Sequence, residues 1–155
     1  MVIGGLTMFV LLRQVFSTTP KKWREEHAAL LRLENHQLVA VSVGGRRYQL
    51  ELVNTPASRV QGLGNRDQVK ADGMLFVFPR SEYHSFWMRN MNFSLDIIWI
   101  HHGCITEFDL GVPAEPQTKL YRPSQQRVEW VWEAPAGFVQ SSQLQIGQCL
   151  TITPL

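Results

Sequence analysis

The chain has 155 residues, of which 45% are hydrophobic and 18% are charged, so it belongs with folded globular proteins and not with disordered ones. The formal net charge is +2, and no run of Lys and Arg is interleaved with aromatic residues, which argues against nucleic acid as a partner. A chain of this length predicts one domain, with room for an appendage.

An apolar tract runs from Val2 to Leu12, and Arg13 interrupts it. The tract is well short of the about 20 residues that a membrane-spanning helix needs, and no small-residue cleavage site of a signal peptide follows it. The basic residues from Arg13 to Arg24 would keep the rest of an anchored chain in the cytoplasm. We keep a membrane tether through residues 2–12 as one interpretation, and favour a tethered or exported protein over a cytoplasmic one.

A helix is predicted after this tract. Thr19 suits the N-cap and Pro20 suits the first helical position, and the pattern ends near residue 35. The helix either links the tract to the main domain or packs on that domain, and the residues do not choose between the two. We therefore divide the chain into a hydrophobic segment with a linker helix, residues 1–37, and a β domain, residues 38–155.

The β domain begins with a hairpin signal. Two alternating runs, 39–43 and 46–53, are joined by Gly-Gly. In the second run Tyr48 and its alternate neighbours point one way, whereas Gln49 and Glu51 point the other way. One face is therefore expected to be wet, which is typical of antiparallel strands in a sandwich or an open barrel.

The stretch 73–100 supplies most of the expected core. Apolar runs alternate there with turn-forming residues, a pattern that predicts consecutive strands. The predicted strands of this stretch and of the rest of the chain are 74–78, 86–88, 95–100, 104–110, 127–133 and 147–152. A helical turn is expected within 59–72, a long surface loop over 111–124 and a short helix over 138–145. These elements predict an all-β domain with one or two short helices.

The two cysteines, Cys104 and Cys149, lie far apart in the sequence and lack the spacing of a metal site. We interpret them as two half-buried strand thiols rather than as a disulfide.

No metal and no cofactor is expected. His101 and His102 are adjacent, and neighbouring residues on a strand point to opposite faces, so the two could not bind one ion. A surface turn is the better interpretation of this pair. Met88 and His84 share a face in a pattern that would suit Cu(I), but such methionines more often fill gaps in a core.

Several short blocks between residues 48 and 152 stand in a specific order. The blocks are Gly62-Leu63 with Arg66, the GMLFVF run from Gly73 to Phe78, FWMRN from Phe86 to Asn90, LDII from Leu95 to Ile98, EAPAGF from Glu133 to Phe138, and Ile146-Gly147. In this order they resemble the DUF192 family (also called UPF0127 or COG1430), prokaryotic proteins of uncharacterised function. The resemblance implies an antiparallel β-sandwich of jelly-roll type, to which this chain would add the N-terminal helical appendage.

Four charged residues lie in an apolar context. They are Arg66, Arg89, Asp96 and Glu133. Because burying an unpaired charge costs several kcal/mol, we expect the two cations and the two carboxylates to gather near a single rim. One hypothesis is that they form two structural ion pairs. The other is a shallow polar pocket rimmed by Trp87 and Trp130, in which an arginine would bind a carboxylate, phosphate or sugar hydroxyl.

Three classes of function are compatible with these residues. The favoured one is a binding module for a small polar or saccharide ligand at the Trp-rimmed charged end. The second is a hydrolase that uses Asp96 and Glu133 as acid and base, for which sugar hydrolysis requires carboxyl groups about 5–9.5 Å apart. The third is an envelope-associated domain that contacts another protein through exposed aromatic residues. No G-x-S-x-G, CxxC or H-E-x-x-H motif occurs in the sequence.

Overall fold

The structure, a computed structural model, describes residues 20–115 and 118–155. The helices are α1 (Pro20–Leu30), α2 (Pro56–Gln61) and α3 (Phe138–Ser142). The strands are β1 (Leu38–Val43), β2 (Arg46–Val53), β3 (Met74–Glu82), β4 (Phe86–Trp87), β5 (Leu95–His101), β6 (Cys104–Val112), β7 (Leu120–Tyr121), β8 (Val128–Pro135) and β9 (Thr151–Pro154). The apolar tract at 2–12 and the proposed N-cap Thr19 lie outside the described residues. Within those residues, every helix is too short or too polar to cross a membrane.

The chain is mostly β, as predicted, and β1, β2, β5 and β8 lie within two residues of their predicted bounds. Seven strands form one sheet in the order β6-β5-β8-β3-β2-β1-β9, and β4 and β7 form a small second sheet. The fully antiparallel arrangement is not observed, because β2 and β3 pair in parallel. Parallel neighbours require a long crossover connection, and the chain between β2 and β3 supplies it with α2 and the loop after it.

The large sheet curls until β6, at one edge, meets the residues just before β9, at the other edge. Ile105 N–H donates to the carbonyl oxygen of Gln148 at 2.9 Å, and a disulfide between Cys104 and Cys149 joins the same two segments. The prediction of two separate thiols is wrong. The two cysteines are 45 residues apart and meet only because the sheet curls, which the local pattern of the sequence does not encode.

The two faces of this sheet carry separate hydrophobic clusters. The inner cluster takes residues from every strand of the large sheet, for example Ile98 and Trp130. The outer cluster includes Ile97 and Val131, the next residues along the same two strands, because successive side chains point to opposite faces. The inner cluster is therefore the core that the curled sheet encloses. The outer cluster must be shielded from solvent by elements outside the large sheet.

Helix α1 packs on the domain and does not stand apart as a linker. Leu30 belongs to the inner cluster with 2% of its surface exposed, and Trp23 packs against the same cluster. The indole N–H of Trp130 donates to Nδ1 of His27 at 2.9 Å. At the other terminus Val139 of α3 also joins the inner cluster.

The outer cluster is covered by short elements. Leu63 follows α2, Phe86 lies in β4, and Tyr121 lies in β7, which forms within the segment expected to be a loop. Helix α2 begins earlier than the predicted turn because Thr55 and Ser58 form a reciprocal capping box. This cover positions the site described next.

Candidate ligand-binding pocket

A cavity of about 510 Å³ lies between the outer face of the sheet and its cover. We call it the outer pocket. Its lining residues are Pro56, Arg59, Val60, Gln61, Gly62, Leu63, Gly64, Phe76, Phe78, Ser85, Phe86, Trp87, Arg89, Met91, Leu120 and Glu133. Glu133 is 5% exposed and lies at the buried end, whereas Trp87 is 45% exposed and lies at the mouth.

The strands that form the back of the pocket approach closely because of a glycine. Gly73 precedes β3 with a φ of 142°, and a Cβ atom there would lie 2.3 Å from the carbonyl oxygen of Glu133. No other residue fits this approach. Strand β3 then pairs with β8 so that Met74 lies opposite Glu133 and Phe76 lies opposite Val131.

Glu133 has apolar neighbours on both sides in the sheet. Met74 on β3 and Ile97 on β5 pair with it, and both are fully buried. Its carboxyl group forms no hydrogen bond with another described residue. Burial therefore raises the pKa of Glu133 from its ordinary 4.5 to about 8. At pH 7 the group is a neutral carboxylic acid, which can both donate and accept a hydrogen bond.

Two arginines line the same pocket. Arg59 donates to the carbonyl oxygens of Asn54 at 2.6 Å and Val77 at 3.0 Å. The guanidinium of Arg89 lies 4.6 Å from the ring centroid of Trp87. Among the described residues, neither arginine forms an ion pair with a carboxylate. Their positive charge is therefore available to a ligand at this site.

An aromatic network fixes the shape of the pocket. The ring of Phe86 meets those of Phe76 at 4.9 Å and Trp99 at 5.4 Å, both edge to face. Phe78 stacks on His84 with ring centroids 3.6 Å apart. Such contacts stabilise by about 0.5–1.5 kcal/mol each beyond the burial of their surface, so the pocket is largely preformed.

The structure brings three of the six residues predicted for the site together at the outer pocket. These are Trp87, Arg89 and Glu133. The other three, Arg66, Asp96 and Trp130, lie elsewhere, so the four charged residues do not gather at a single rim.

Arg66 forms a bidentate ion pair with Glu51, with N–O distances of 2.6 and 2.9 Å. His36 Nδ1 lies 2.7 Å from the same carboxylate. The hydrogen bond from Arg66 is the main reason that the pKa of Glu51 is lowered. Glu51 was expected on the wet face of β2 but is only 4% exposed. Arg66 thus acts as a structural partner, beside a second cavity of about 460 Å³.

Asp96 is 1% exposed and accepts hydrogen bonds from the backbone N–H groups of Gly111 at 2.8 Å and Val139 at 2.9 Å. It pairs with Ala134 on β8, whereas Glu133 pairs with Ile97. Asp96 therefore faces the inner side of the sheet and Glu133 faces the outer side. An acid and a base that act on one substrate must lie on the same face of the sheet. Asp96 and Glu133 lie on opposite faces, so they cannot act as such a pair.

Trp130 is fully buried in the inner cluster and does not rim the pocket. The residues that sequence reasoning missed here are Arg59 and the apolar side chains of Val60 and Leu120. A signal for Arg59 was present, because Thr55 with Pro56 and Ser58 marks the start of a helix that carries it to this face.

The prediction for the adjacent histidines is also wrong in part. His101 ends β5, and His102 lies in the turn with a φ of 49°. This left-handed conformation breaks the alternation of the strand, so the two rings stack with centroids 3.8 Å apart. The turn itself was predicted.

Residues 39–152 match the family profile DUF192, described as "Uncharacterized ACR, COG1430". The chain belongs to the DUF192 family. The match covers the whole outer pocket and all but the first residue and the last two residues of the large sheet. No curated protein matches the chain.

Two crystal structures resemble this DUF192 chain. One, from Sinorhizobium meliloti 1021 and provisionally named a transcription regulator, is 29% identical with a TM-score of 0.66, covering 77% of this chain and 96% of its own. The other, a protein of unknown function from Novosphingobium aromaticivorans DSM 12444, is 23% identical with a TM-score of 0.63, covering 74% of this chain and 83% of its own. The second likeness concerns the fold alone.

Proposed function

We propose that this DUF192 domain is a binding module for a small polar ligand, a saccharide among the candidates, and that the outer pocket is its site. The observation that carries the proposal is the Glu133 carboxyl, which has no hydrogen-bond partner among the described residues and lies at the buried end of a cavity of about 510 Å³. Ligand pockets typically measure about 300–1,000 Å³ and combine an apolar lining with a few polar groups. The outer pocket fits that description.

The lining defines the chemistry of the ligand. Phe76, Phe78 and Phe86 offer aromatic surface to a ring-shaped body. Glu133, neutral at pH 7, would exchange hydrogen bonds with a hydroxyl, carbonyl or carboxyl group without repelling an anion. Arg89 at the mouth would bind an anionic or hydroxylated end.

The hydrolase alternative receives no support from the pocket, because Asp96 lies on the opposite face of the sheet from Glu133. The name of the Sinorhizobium neighbour belongs to that protein. In the present chain, a formal charge of +2 gives little electrostatic attraction to nucleic acid.

We propose export or membrane tethering as the setting of this binding module. The disulfide between Cys104 and Cys149 supports it, because disulfides persist mainly in oxidising compartments. The exposed side chains at the pocket mouth, Val60, Trp87 and Leu120, would also suit the interaction with an envelope protein considered above.

The test uses anilinonaphthalenesulfonate, whose aromatic body and anionic group match the pocket, followed by a thermal-shift screen of sugars and small carboxylic acids. The fluorescent probe should bind the native chain, and Trp87→Ala should weaken it about fivefold, as expected for the loss of about 1 kcal/mol. The matched control is Tyr83→Ala. Tyr83 is 51% exposed and also has an arginine, Arg127, over its ring, but it does not line the pocket.

The two variants separate the outcomes. Equal binding to wild type, Trp87→Ala and Tyr83→Ala would place the probe outside the outer pocket and refute the assignment of the site. The absence of any sugar or carboxylic acid that raises the melting temperature would refute the small-ligand proposal, and would favour a protein partner.

A further inference from the structure

A second polar cluster lies at the opposite end of β8 from the outer pocket. Glu129 on this strand is four residues from Glu133, a separation of about 13 Å along a strand. His101 and His102 lie beside it, and the candidate ligand atoms of the three side chains are all within 4.8 Å of one another. None of the three lines the outer pocket.

The turn between β5 and β6 creates this arrangement. His102 has a φ of 49° and Gly103 a φ of 76°, the two left-handed residues of a tight hairpin turn. Gly103 suits this turn, because its φ is left-handed and a Cβ atom there would lie only 3.2 Å from the Trp23 ring. Trp23 in turn packs against the His102 ring, with centroids 4.3 Å apart. The fold therefore holds both imidazoles on one side of the strand.

Glu129 is an unusual residue for this position. Its surface is 1% exposed, yet no Lys or Arg of the described chain forms an ion pair with it. The backbone N–H of His102 donates to Oε1, and the Ser81 hydroxyl donates to Oε2 at 3.1 Å. These hydrogen bonds fix the orientation of the carboxylate, as hydrogen bonds to a metal-binding side chain commonly do. They do not supply a positive charge to balance it.

We propose that His101, His102 and Glu129 form a binding site for one divalent transition-metal ion of the zinc type. Two imidazoles and one carboxylate are a ligand set that suits Zn²⁺. His101 Nδ1 lies 3.3 Å from Glu129 Oε2. Ligand atoms at the corners of a zinc tetrahedron with bonds of about 2.1 Å are also about 3.4 Å apart. The His102 ring is exposed, and a rotation of its side chain would bring a ring nitrogen to that distance.

Three protein ligands leave one position of a tetrahedral ion for water or for an atom of a bound molecule. The site is independent of the outer pocket, and either proposal can fail without the other.

The experiment titrates Zn²⁺ into the untagged full chain by calorimetry, after chelator treatment and buffer exchange. Wild type should bind one ion per chain and show a higher melting temperature with zinc. His101→Ala and Glu129→Gln should each weaken binding by more than about tenfold. The matched control is His84→Ala, which removes a partly buried histidine stacked on Phe78, outside the cluster.

Melting curves without zinc report whether each variant is folded. If Glu129→Gln does not fold, the zinc affinities of His101→Ala and His102→Ala test the site instead. X-ray absorption of the zinc complex should show two imidazole nitrogens. The proposal is overturned if wild type does not bind zinc at millimolar concentration. It is equally overturned if His101→Ala binds like wild type, or if His84→Ala loses as much affinity as the cluster variants.

Discussion

Glu51 and Glu133 are nearly equally buried, at 4% and 5% exposure, yet their environments differ in the partners they provide. Glu51 accepts two hydrogen bonds from Arg66, and its pKa is lowered. Glu133 lies between apolar strand neighbours, and its pKa is raised to about 8. Burial alone therefore does not decide the charge of a carboxyl group. The partner decides it.

The difference separates a structural region from a candidate site. The carboxylate of Glu51 already has its hydrogen-bond partners, so a ligand there would compete with Arg66 and His36. Glu133 accepts no hydrogen bond from the part of the chain that the structure describes, and it faces a cavity. An unpaired group of this kind is costly to bury, and strongly shifted groups in clefts are concentrated at functional sites.

The largest expected effect comes from removing the partner of Glu51. Arg66→Ala leaves that carboxylate buried without its main cation, so we expect the free energy of unfolding at pH 7 to fall by about 3 kcal/mol. The paired state of Glu51 stabilises the fold above the ordinary pKa of 4.5, and this contribution is lost as the pH falls through the lowered value. The destabilisation should therefore shrink in acid. Urea denaturation at several pH values measures both quantities.

The control is the double variant Arg66→Met with Glu51→Leu, which replaces the pair by apolar side chains of similar size. It should recover most of the lost stability, since a buried pair is often no better than its hydrophobic replacement. A double variant as unstable as Arg66→Ala would show that packing of Arg66, and not its charge, stabilises this region.

Glu133 should give the opposite dependence on pH. Its pKa is 4.5 in the unfolded chain and about 8 in the folded one, so the folded state binds more protons between these values. The contribution of Glu133 to the free energy of unfolding is therefore fully present below pH 4.5. It decreases as the pH rises from there and is lost once the pH has passed about 8. The slope in that window is about 1.4 kcal/mol per pH unit.

Glu133→Gln keeps the shape and removes the proton, so its unfolding free energy should lack this slope. Urea denaturation from pH 5 to pH 9 compares it with wild type. If both proteins show the same slope, Glu133 is ionised in the folded state and the neutral-acid interpretation of the outer pocket is wrong.

The strands could be predicted because alternation is local. The period of two in 46–53 and the apolar run at 95–100 fix the elements regardless of the rest of the chain. The parallel pairing of β2 with β3 could not be predicted in this way, because it depends on the path of the crossover through α2. The disulfide could not be predicted either, because its two cysteines meet only after the sheet curls.

The site was predicted in part for the same reason. Trp87 ends β4 and Arg89 lies in the turn directly after it, so the two are close in the sequence, and the Arg89 guanidinium lies over the Trp87 ring. Asp96 and Glu133 lie on different strands, and which faces they share depends on the register between β5 and β8. For His102 the turn was predicted, but the two rings were placed on opposite faces by strand alternation, which does not hold within a turn.

A smaller effect is expected at the second partner of Glu51. His36→Ala removes the contact of 2.7 Å to the carboxylate, but Arg66 stays in place and the His36 side chain is 46% exposed. We expect a loss of about 1 kcal/mol in unfolding free energy. A loss as large as that of Arg66→Ala would mean that the three residues act as one unit. A double variant of His36 and Arg66 tests that coupling.

The smallest effect on stability should come from the pocket mouth. Arg89 and Arg127 are both exposed, and each lies over an aromatic ring, at 4.6 Å from Trp87 and 5.9 Å from Tyr83. Replacing either by Ala should cost at most about 1 kcal/mol, the range of exposed cation–π contacts. Only Arg89→Ala should weaken the binding of anilinonaphthalenesulfonate, because only Arg89 lines the outer pocket. A functional arginine should thus change affinity with little change in stability, which is the reverse of what we expect for Arg66.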